Sequence, residues 1–378
     1  IKTYISYDSG EIVYASTDLL KDRESALDKK RKEQLLNACK CQSVEITDLC
    51  TKIDQFQNIP ILIIGDSIID EYSACEALGM SSEAPVVVVK ELETEIYYGG
   101  AAIVALHINE LGGKCHFISV TGQDHLSKKL EKFLNAKNID TYIVEDKLRP
   151  TTYKKRYMVE NQKLFRVSKL DENPVGLELE KEIIKKLSNI IPKVKGIVLS
   201  DFNYGVLTKN ILESIGGLAK KYDVKVFADS QCSSQVGSVT KFNNIDLLCP
   251  NEREARISLQ NKTSGLESLA SELFVRCNLK HLIMKIGSQG FIAYQDDCEG
   301  KLSKQHFPAL SSNPVDVTGA GDSLISCMAI ALSSGMPLMD AAVLGTFISS
   351  IAVESLGNKP IPSEVLKNKI KEYFRDYL

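Results

Sequence analysis

Short apolar runs, each closed by polar residues or glycine, recur through most of this chain. Ile61-Leu62-Ile63-Ile64 is unbroken and mostly β-branched, which suits a strand buried on both faces rather than one with a wet side. Cys115–Val120, Thr141–Val144, Gly196–Ser200, Val224–Ala228, Ile245–Cys249 and Leu282–Ile286 read the same way. Helical stretches alternate with them, at Ile103–Leu111, Leu177–Ile190, about 208–222 and Leu324–Leu332. That alternation predicts an α/β fold with a mostly parallel sheet between helices. Ligands in such folds bind beyond the carboxyl ends of the strands. The segments there are Gly65–Asp70, Asp201–Gly205, Asp229-Ser230, Pro250–Glu254 and Gly287–Gly290, and they predict one extended site edge. Asp66 and Asp70 are candidates to accept hydrogen bonds from substrate hydroxyls, or else to cap turns.

Two stretches break this rhythm. Pro85–Tyr98 is strand-like, and Thr151–Lys169 alternates with a break near Glu160-Asn161-Gln162, the pattern of a hairpin. They predict a small β-sheet lid, built from about 83–98 and 150–169, set apart from the main sheet to cover a substrate. Gly99-Gly100-Ala101-Ala102 leads from it into a helix, where small residues allow a ligand to come close, or else give only a tight packing contact. Lys154, Lys155, Arg156 and Arg166 lie on the lid; solubility is the default explanation for each, but one or two of them, Arg156 first, are candidates to meet an anionic substrate. Residues 1–58 read differently. A strand or two is expected up to Tyr14, then a cap at Ser16-Thr17-Asp18 and a charged helix from Leu19 to about Lys40. The expected division is an N-terminal extension over 1–58 and a main domain over 59–378.

The stretch from Asn313 to Ile325 carries the chemistry. Gly319, Ala320 and Gly321 stand between Thr318 and Asp322, and an apolar helical run follows. This is a tight turn feeding a helix N-terminus, whose unpaired first-turn N–H groups attract phosphate and stabilise developing negative charge. Asp322 lies where a carboxylate can take a proton beside that anion site, though a helix cap would use the same residue.

Composition narrows the class. The 378 residues are 44% hydrophobic and 25% charged, ordinary for a globular protein, and the net charge of −3 offers no basic field for nucleic acid or a membrane surface. No apolar run reaches the ~18 residues needed to span a bilayer. The ten cysteines are scattered, with Cys39-Lys40-Cys41 the one tight pair, so free thiols in a reducing cytoplasm are expected rather than disulfides or a zinc site. The five histidines sit in no metal-binding spacing. Ile at position 1 is expected to mark a piece of a longer chain.

Asp316-Val317-Thr318-Gly319-Ala320-Gly321-Asp322 resembles the Asp-Thr-x-Gly-Ala-Gly-Asp signature of the ribokinase-like, or PfkB-type, carbohydrate kinases. The resemblance extends from residue 59 to about 365. It implies a three-layer α/β/α core with a β-sheet lid, Asp322 as catalytic base, and the backbone of Gly319, Ala320 and Gly321 as anion hole. ATP and Mg2+ are the implied cofactors. Asn251 and Glu254 form the Asn-x-x-Glu pattern that organises magnesium through water in that family, although a helix cap with a first-turn acid is an equally good local reading. Lys285-Ile286-Gly287-Ser288-Gln289-Gly290 resembles the nucleotide loop, which implicates Lys285, Gly287 and Gly290, with Thr318, in cofactor binding.

Within the family the likeness is to the heptose-phosphate kinases that form part of bacterial ADP-heptose synthases. It is carried by Gly65–Tyr72, Ser82–Val86, Gly99–Ala102, Pro150-Thr151-Thr152 and Leu199-Ser200-Asp201. It implies a sugar or sugar-phosphate acceptor bound by Asp66, Asp70, Gly99, Gly100, Arg156 and Asp201, and a homodimer formed through the lid. Residues 10–20 faintly resemble the tail of a nucleotidyltransferase, which would make the extension a tail or linker. Three departures stand out: Ile103 replaces an Asn, Tyr204 replaces a Lys, and Asp229-Ser230-Gln231 replaces Asp-Pro-Lys. They leave two other readings open, a nucleoside kinase and a non-catalytic sugar- or nucleotide-binding domain of a larger synthase.

Overall fold

The computed structural model describes residues 2–7, 10–160, 162–231, 237–296, 302–311 and 313–377, with side chains from residue 26 onward. Asn161, Cys232 and Cys298 lie outside the described residues. In chain order the elements are β1 (Lys2–Tyr7), β2 (Gly10–Ala15), α1 (Ser16–Cys41), α2 (Leu49–Asp54), β3 (Pro60–Gly65), β4 (Ser67–Met80), β5 (Val87–Gly100), α3 (Ala101–Glu110) and β6 (Lys114–Gly122). They continue with α4 (His125–Ala136), β7 (Asp140–Asp146), β8 (Tyr153–Val159), β9 (Gln162–Lys169), α5 (Leu177–Ile190), β10 (Gly196–Asp201), α6 (Lys209–Tyr222), β11 (Lys225–Ser230) and β12 (Leu247–Leu248). The last are α7 (Glu252–Leu259), α8 (Leu266–Cys277), β13 (His281–Lys285), β14 (Phe291–Asp296), β15 (Leu302–Phe307), α9 (Ala320–Ser333), α10 (Leu338–Ala352) and α11 (Ser363–Tyr373).

Among the described residues nine strands form one sheet, in the order β15-β14-β13-β12-β11-β10-β3-β6-β7. It is parallel from β13 to β7, and β14 and β15 add an antiparallel edge. The unbroken apolar runs are explained by two cores, because successive strand residues point to opposite faces. Ile61 and Ile63 enter one core with α3, α9 and α10, while Leu62 and Ile64 enter the other with α5, α6 and α8. Phe227 against Val226 and Ala228 repeats this split on β11. The fold is the expected three-layer, ribokinase-like α/β/α arrangement.

A second sheet, β5-β4-β8-β9, forms the lid. It takes in more chain than the stretches 83–98 and 150–169, because Ser67–Met80 is a 14-residue strand paired with β5 and β8. The Ser67–Asp70 segment is thus strand rather than loop. It hides its pattern by passing from the buried base of the lid to an exposed tip, with Ser67–Asp70 buried and Glu76–Met80 exposed. The N-terminal extension is docked on the main α/β core. Leu35, Ala38 and Cys39 of α1, with Leu49, Ile53 and Phe56, are buried in the same cluster as β3, α10 and α11. Every cysteine among the described residues is a free thiol.

Candidate active site

The signature stretch folds as its glycines require. Gly319 caps α9 with φ +86°, a conformation that side chains disfavour, and a Cβ there would lie 2.2 Å from Asn358 Oδ1. Ala320, Gly321 and Asp322 are the first three helical residues, and the first helical bond in this turn runs from Ser323 N–H to Gly319 O at 2.9 Å. Ala320 N–H makes a long 3.4 Å contact to Val317 O. The first-turn amides therefore remain available at a site of positive helix-end potential.

Asp322 is the third helical residue, not the cap, and is 5% exposed. Asn358 Nδ2 donates to its Oδ2 at 3.0 Å. Its carboxyl pKa is raised to about 7, first by burial and then by the charge of Asp229, against the opposing pull of Lys285 and the Asn358 hydrogen bond. That range suits a proton acceptor near neutral pH. Lys285 Nζ donates to Asp229 Oδ1 at 2.8 Å and Oδ2 at 3.1 Å. A Cβ built on Gly321 would sit 3.3 Å from Lys285 Nζ and 3.5 Å from Asp229 Oδ2, so this pair lies against the amide turn. The side chain of Lys285 points into the site's centre, while Gly287, Ser288 and Gln289 form the turn between β13 and β14.

Asn251 and Glu254 form a reciprocal capping box on α7: Glu254 N–H donates to Asn251 Oδ1 at 2.8 Å, and Asn251 N–H to Glu254 Oε2 at 2.7 Å. Residue 251 also bridges to Lys285 on β13, which brings the box beside the Lys285–Asp229 pair. A cavity of about 690 Å³ opens there, lined by Asn251, Arg253, Arg256, Lys285 and Gly287 among others. Among the described residues no group of three His, Cys, Asp or Glu is arranged to hold a metal directly.

The lid brings the acceptor-side candidates together. Asp70 on β4 pairs with Arg156 Nη2 at 2.7 Å, and a Cβ on Gly99 would lie 2.9 Å from Asp70 Oδ2. Gly100, at φ +62°, caps α3 where a Cβ would overlap Asp66 O at 2.1 Å. Asp66 and Asp201 have other work in this structure. Asp66 accepts the N–H groups of Phe202 at 2.7 Å, Tyr204 at 3.2 Å and Val206 at 3.3 Å, so it shapes the loop after β10 instead of offering both oxygens to a substrate. Asp201 accepts Ser230 Oγ and pairs with Lys241, each at 2.6 Å. Both are aspartates at strand ends, where loop backbone competes with substrate for the same lone pairs. Ile103 is fully buried in the core, and Thr318 accepts from Lys163 of β9 at 3.2 Å.

Residues 59–364 match the model of the pfkB family carbohydrate kinases. The chain belongs to that family. It is a kinase that transfers phosphate to a hydroxyl of a carbohydrate. A protein of Campylobacter jejuni subsp. jejuni serotype O:6 named bifunctional protein HldE is 30% identical over 320 residues, 82% of this chain and 65% of that protein. One of the same name from Helicobacter pylori is 31% identical over 302 residues, 79% and 63% of the two chains. The chain thus spans just under two thirds of the length of these relatives. Phosphofructokinase-2 from Escherichia coli, solved in complex with substrates and products, is 17% identical and covers 84% of this chain and 99% of its own at a TM-score of 0.68. Ribokinase from Arabidopsis thaliana, complexed with ribose and ATP, is 19% identical over 83% and 99% at a TM-score of 0.62. These two structures are alike in fold.

Near the site of this carbohydrate kinase, Asn358 escaped the motif reading, and Lys154, expected on the lid with solubility as its default, is buried. Asn358 closes the turn over Gly319 and holds Asp322. It lies 36 residues beyond Asp322 and six beyond the end of α10, and nothing local marks it. Lys154, 6% exposed, rests over the rings of Phe202 at 5.7 Å and Tyr204 at 5.3 Å, and makes no hydrogen bond or ion pair among the described residues. Burial lowers its pKa to about 8 against the pull of Asp70. An ammonium thus stands over the ring of Tyr204, brought there by the lid strand β8. Register places Lys154, Arg156 and Arg166 on the same lid face as Asp70, a signal that alternation along 151–169 does contain. The lid also touches the signature stretch through Lys163, which pairs with Asp316 at 2.9 Å.

Proposed function

We propose that this kinase transfers the γ-phosphoryl group of ATP to a hydroxyl of a sugar phosphate, with a heptose 7-phosphate-like molecule as the favoured acceptor. The observation that carries the reading is Asp322: a buried carboxylate of raised pKa beside a glycine-lined helix start. Asp322 takes the proton of the acceptor hydroxyl. The acceptor oxygen then forms its bond to the γ-phosphorus as the bond to the ADP oxygen breaks, and the amides of Gly319, Ala320 and Gly321 carry the charge on the moving group. Asp229, Glu254 and Asp322 are three buried carboxylates near one ammonium, so a bound nucleotide brings more negative charge than the side chains offset. Magnesium fits that imbalance: Asn251 and Glu254 would hold it through water, and it would supply charge neutralisation for the phosphates. Gly287, Gly290 and Thr318 line the nucleotide side.

The phosphate of the acceptor meets Lys154, Arg156 and Arg166, with Asp70 and Gly99 placing its hydroxyls. The support is chemical: a buried ammonium with its donors unspent seeks an anion. A nucleoside acceptor brings no such group. The exposed apolar lid residues, including Val87, Leu92, Leu164, Phe165 and Val167, support a homodimer through the lid. Residues 1–58 are read as the docked tail or linker of a nucleotidyltransferase module. No helix among the described residues is long and apolar enough to cross a membrane.

The test is a panel of free and phosphorylated heptoses, hexoses and nucleosides with ATP and magnesium, scored by product analysis. Turnover of a sugar phosphate well above its free sugar supports the proposal. Equal turnover of the free sugar removes the phosphate assignment, and binding without turnover on every acceptor favours a non-catalytic domain. Sedimentation of the pure protein decides the dimer.

A further inference from the structure

Lys285 is the last residue of β13, and its side chain turns away from the loop it precedes. Strand pairing fixes it on two sides. Its N–H donates to Pro250 O at 2.9 Å, and it bridges to Asn251. The ammonium donates to both oxygens of Asp229, at the end of β11. From α9, the backbone of Gly321 approaches until a Cβ there would stand 3.3 Å from Nζ. Charged groups facing this ammonium come from three elements: Asp229 on β11, Glu254 on α7 and Asp322 on α9. Burial opposes its charge, but Asp229 and then Glu254 more than offset that, and the group holds its proton above the ordinary lysine range.

A permanent cation therefore stands between the capping box of α7 and the amide turn of α9. An ammonium has three donors, and Asp229 occupies two directions, which leaves one for a ligand in front of the turn. Gly321 keeps that direction open, since any side chain would fill the space between them. We propose that Lys285 is a catalytic residue: its ammonium, aimed by Asp229, binds a non-bridging oxygen of the phosphoryl group during transfer. This rests on the phosphoryl-transfer reading and adds a side-chain cation to the backbone cradle. No bond is made or broken by Lys285; it offsets charge that the amides alone would carry.

The experiment compares Lys285→Met and Lys285→Arg, in the full chain, for kcat, acceptor KM and ADP binding. Loss of one preorganised donor of this kind costs ~10²–10³-fold in rate. We expect Lys285→Met to lose about that in kcat, with acceptor KM within about threefold, and Lys285→Arg to recover at least about tenfold of the loss. The acid limb of the residual pH profile should also move upward, because Lys285 favours ionised Asp322. The double variant Asp229→Asn/Lys285→Met removes both charges together and keeps the test open if the single variant fails to fold; it should be as slow as Lys285→Met. Near wild-type kcat in either Met variant overturns the proposal. So does equal loss in the Met and Arg variants together with loss of ADP binding, which marks a structural pair. Failure of the parent reading looks different: Asp322→Asn with Lys285 intact would then keep its turnover.

Discussion

Replacing Asp322 by Asn separates catalysis from folding, and the two should move in opposite directions. The amide keeps the size of the side chain and an oxygen to accept from Asn358 Nδ2. Its activity should fall by ~10²–10⁴, the usual worth of a positioned general base. Stability should rise. The carboxyl pKa goes from 3.8 to about 7 on folding, chiefly through burial, a change of about 3 units or roughly 4 kcal/mol. The folded state then binds more protons than the unfolded state between those values, so stability falls as pH rises through that window and the full cost is present above about 7. Asn removes the cost. At pH 5.5 roughly 2 kcal/mol is recovered and at pH 8 roughly 4. An unfolding entropy of about 0.8 kcal/mol per kelvin for 378 residues makes the upper value worth at most about 5 °C in Tm. The assay is thermal unfolding of both proteins without ligand at pH 5.5 and 8, beside turnover. A Tm difference that does not widen with pH would refute the buried, ionisable carboxylate; retained turnover would refute its role as base.

Gly319→Ala forces a side chain into φ +86° and against Asn358, so it should cost about 2 kcal/mol in denaturant unfolding and roughly tenfold or more in kcat. Lys154→Met should raise KM for a phosphorylated acceptor by about 10- to 100-fold, as loss of a charged hydrogen bond does, while the free sugar changes by less than about threefold. An equal change for both sugars would deny Lys154 an anion-binding task. Asn358→Ala removes a hydrogen bond that lowers the pKa of Asp322, so the acid limb of its kcat/KM profile should move upward, with the deficit largest below pH 7.

Much of this site could be read along the chain because it is built from backbone. Gly319-Ala320-Gly321 is a turn whose conformation demands small residues, and Asp322 follows it within one helical turn, so spacing alone carries the geometry. The continuous apolar runs likewise announced strands buried on both faces, and the helices between them gave the layers. Local pattern was a poorer guide where one residue type has two uses. Asp66, Asp70 and Asp201 all stand at or soon after the end of an apolar core run, yet Asp66 folds a loop, Asp201 takes Ser230 and Lys241, and Asp70 meets the lid arginine. The neighbours that converge on each one decided among them: loop amides for Asp66, Ser230 and Lys241 for Asp201, and the lid for Asp70. The same holds for the cations. Position 204 is Tyr and position 231 is Gln, yet Lys154 comes to the Tyr204 ring from β8 and Lys285 to Asp229 from β13. Charge in a site is set by what converges in space, and a strand 50 or more residues away can supply it. Asn358 makes the point most simply: a hydrogen bond 36 residues long in sequence leaves no period, motif or spacing to detect.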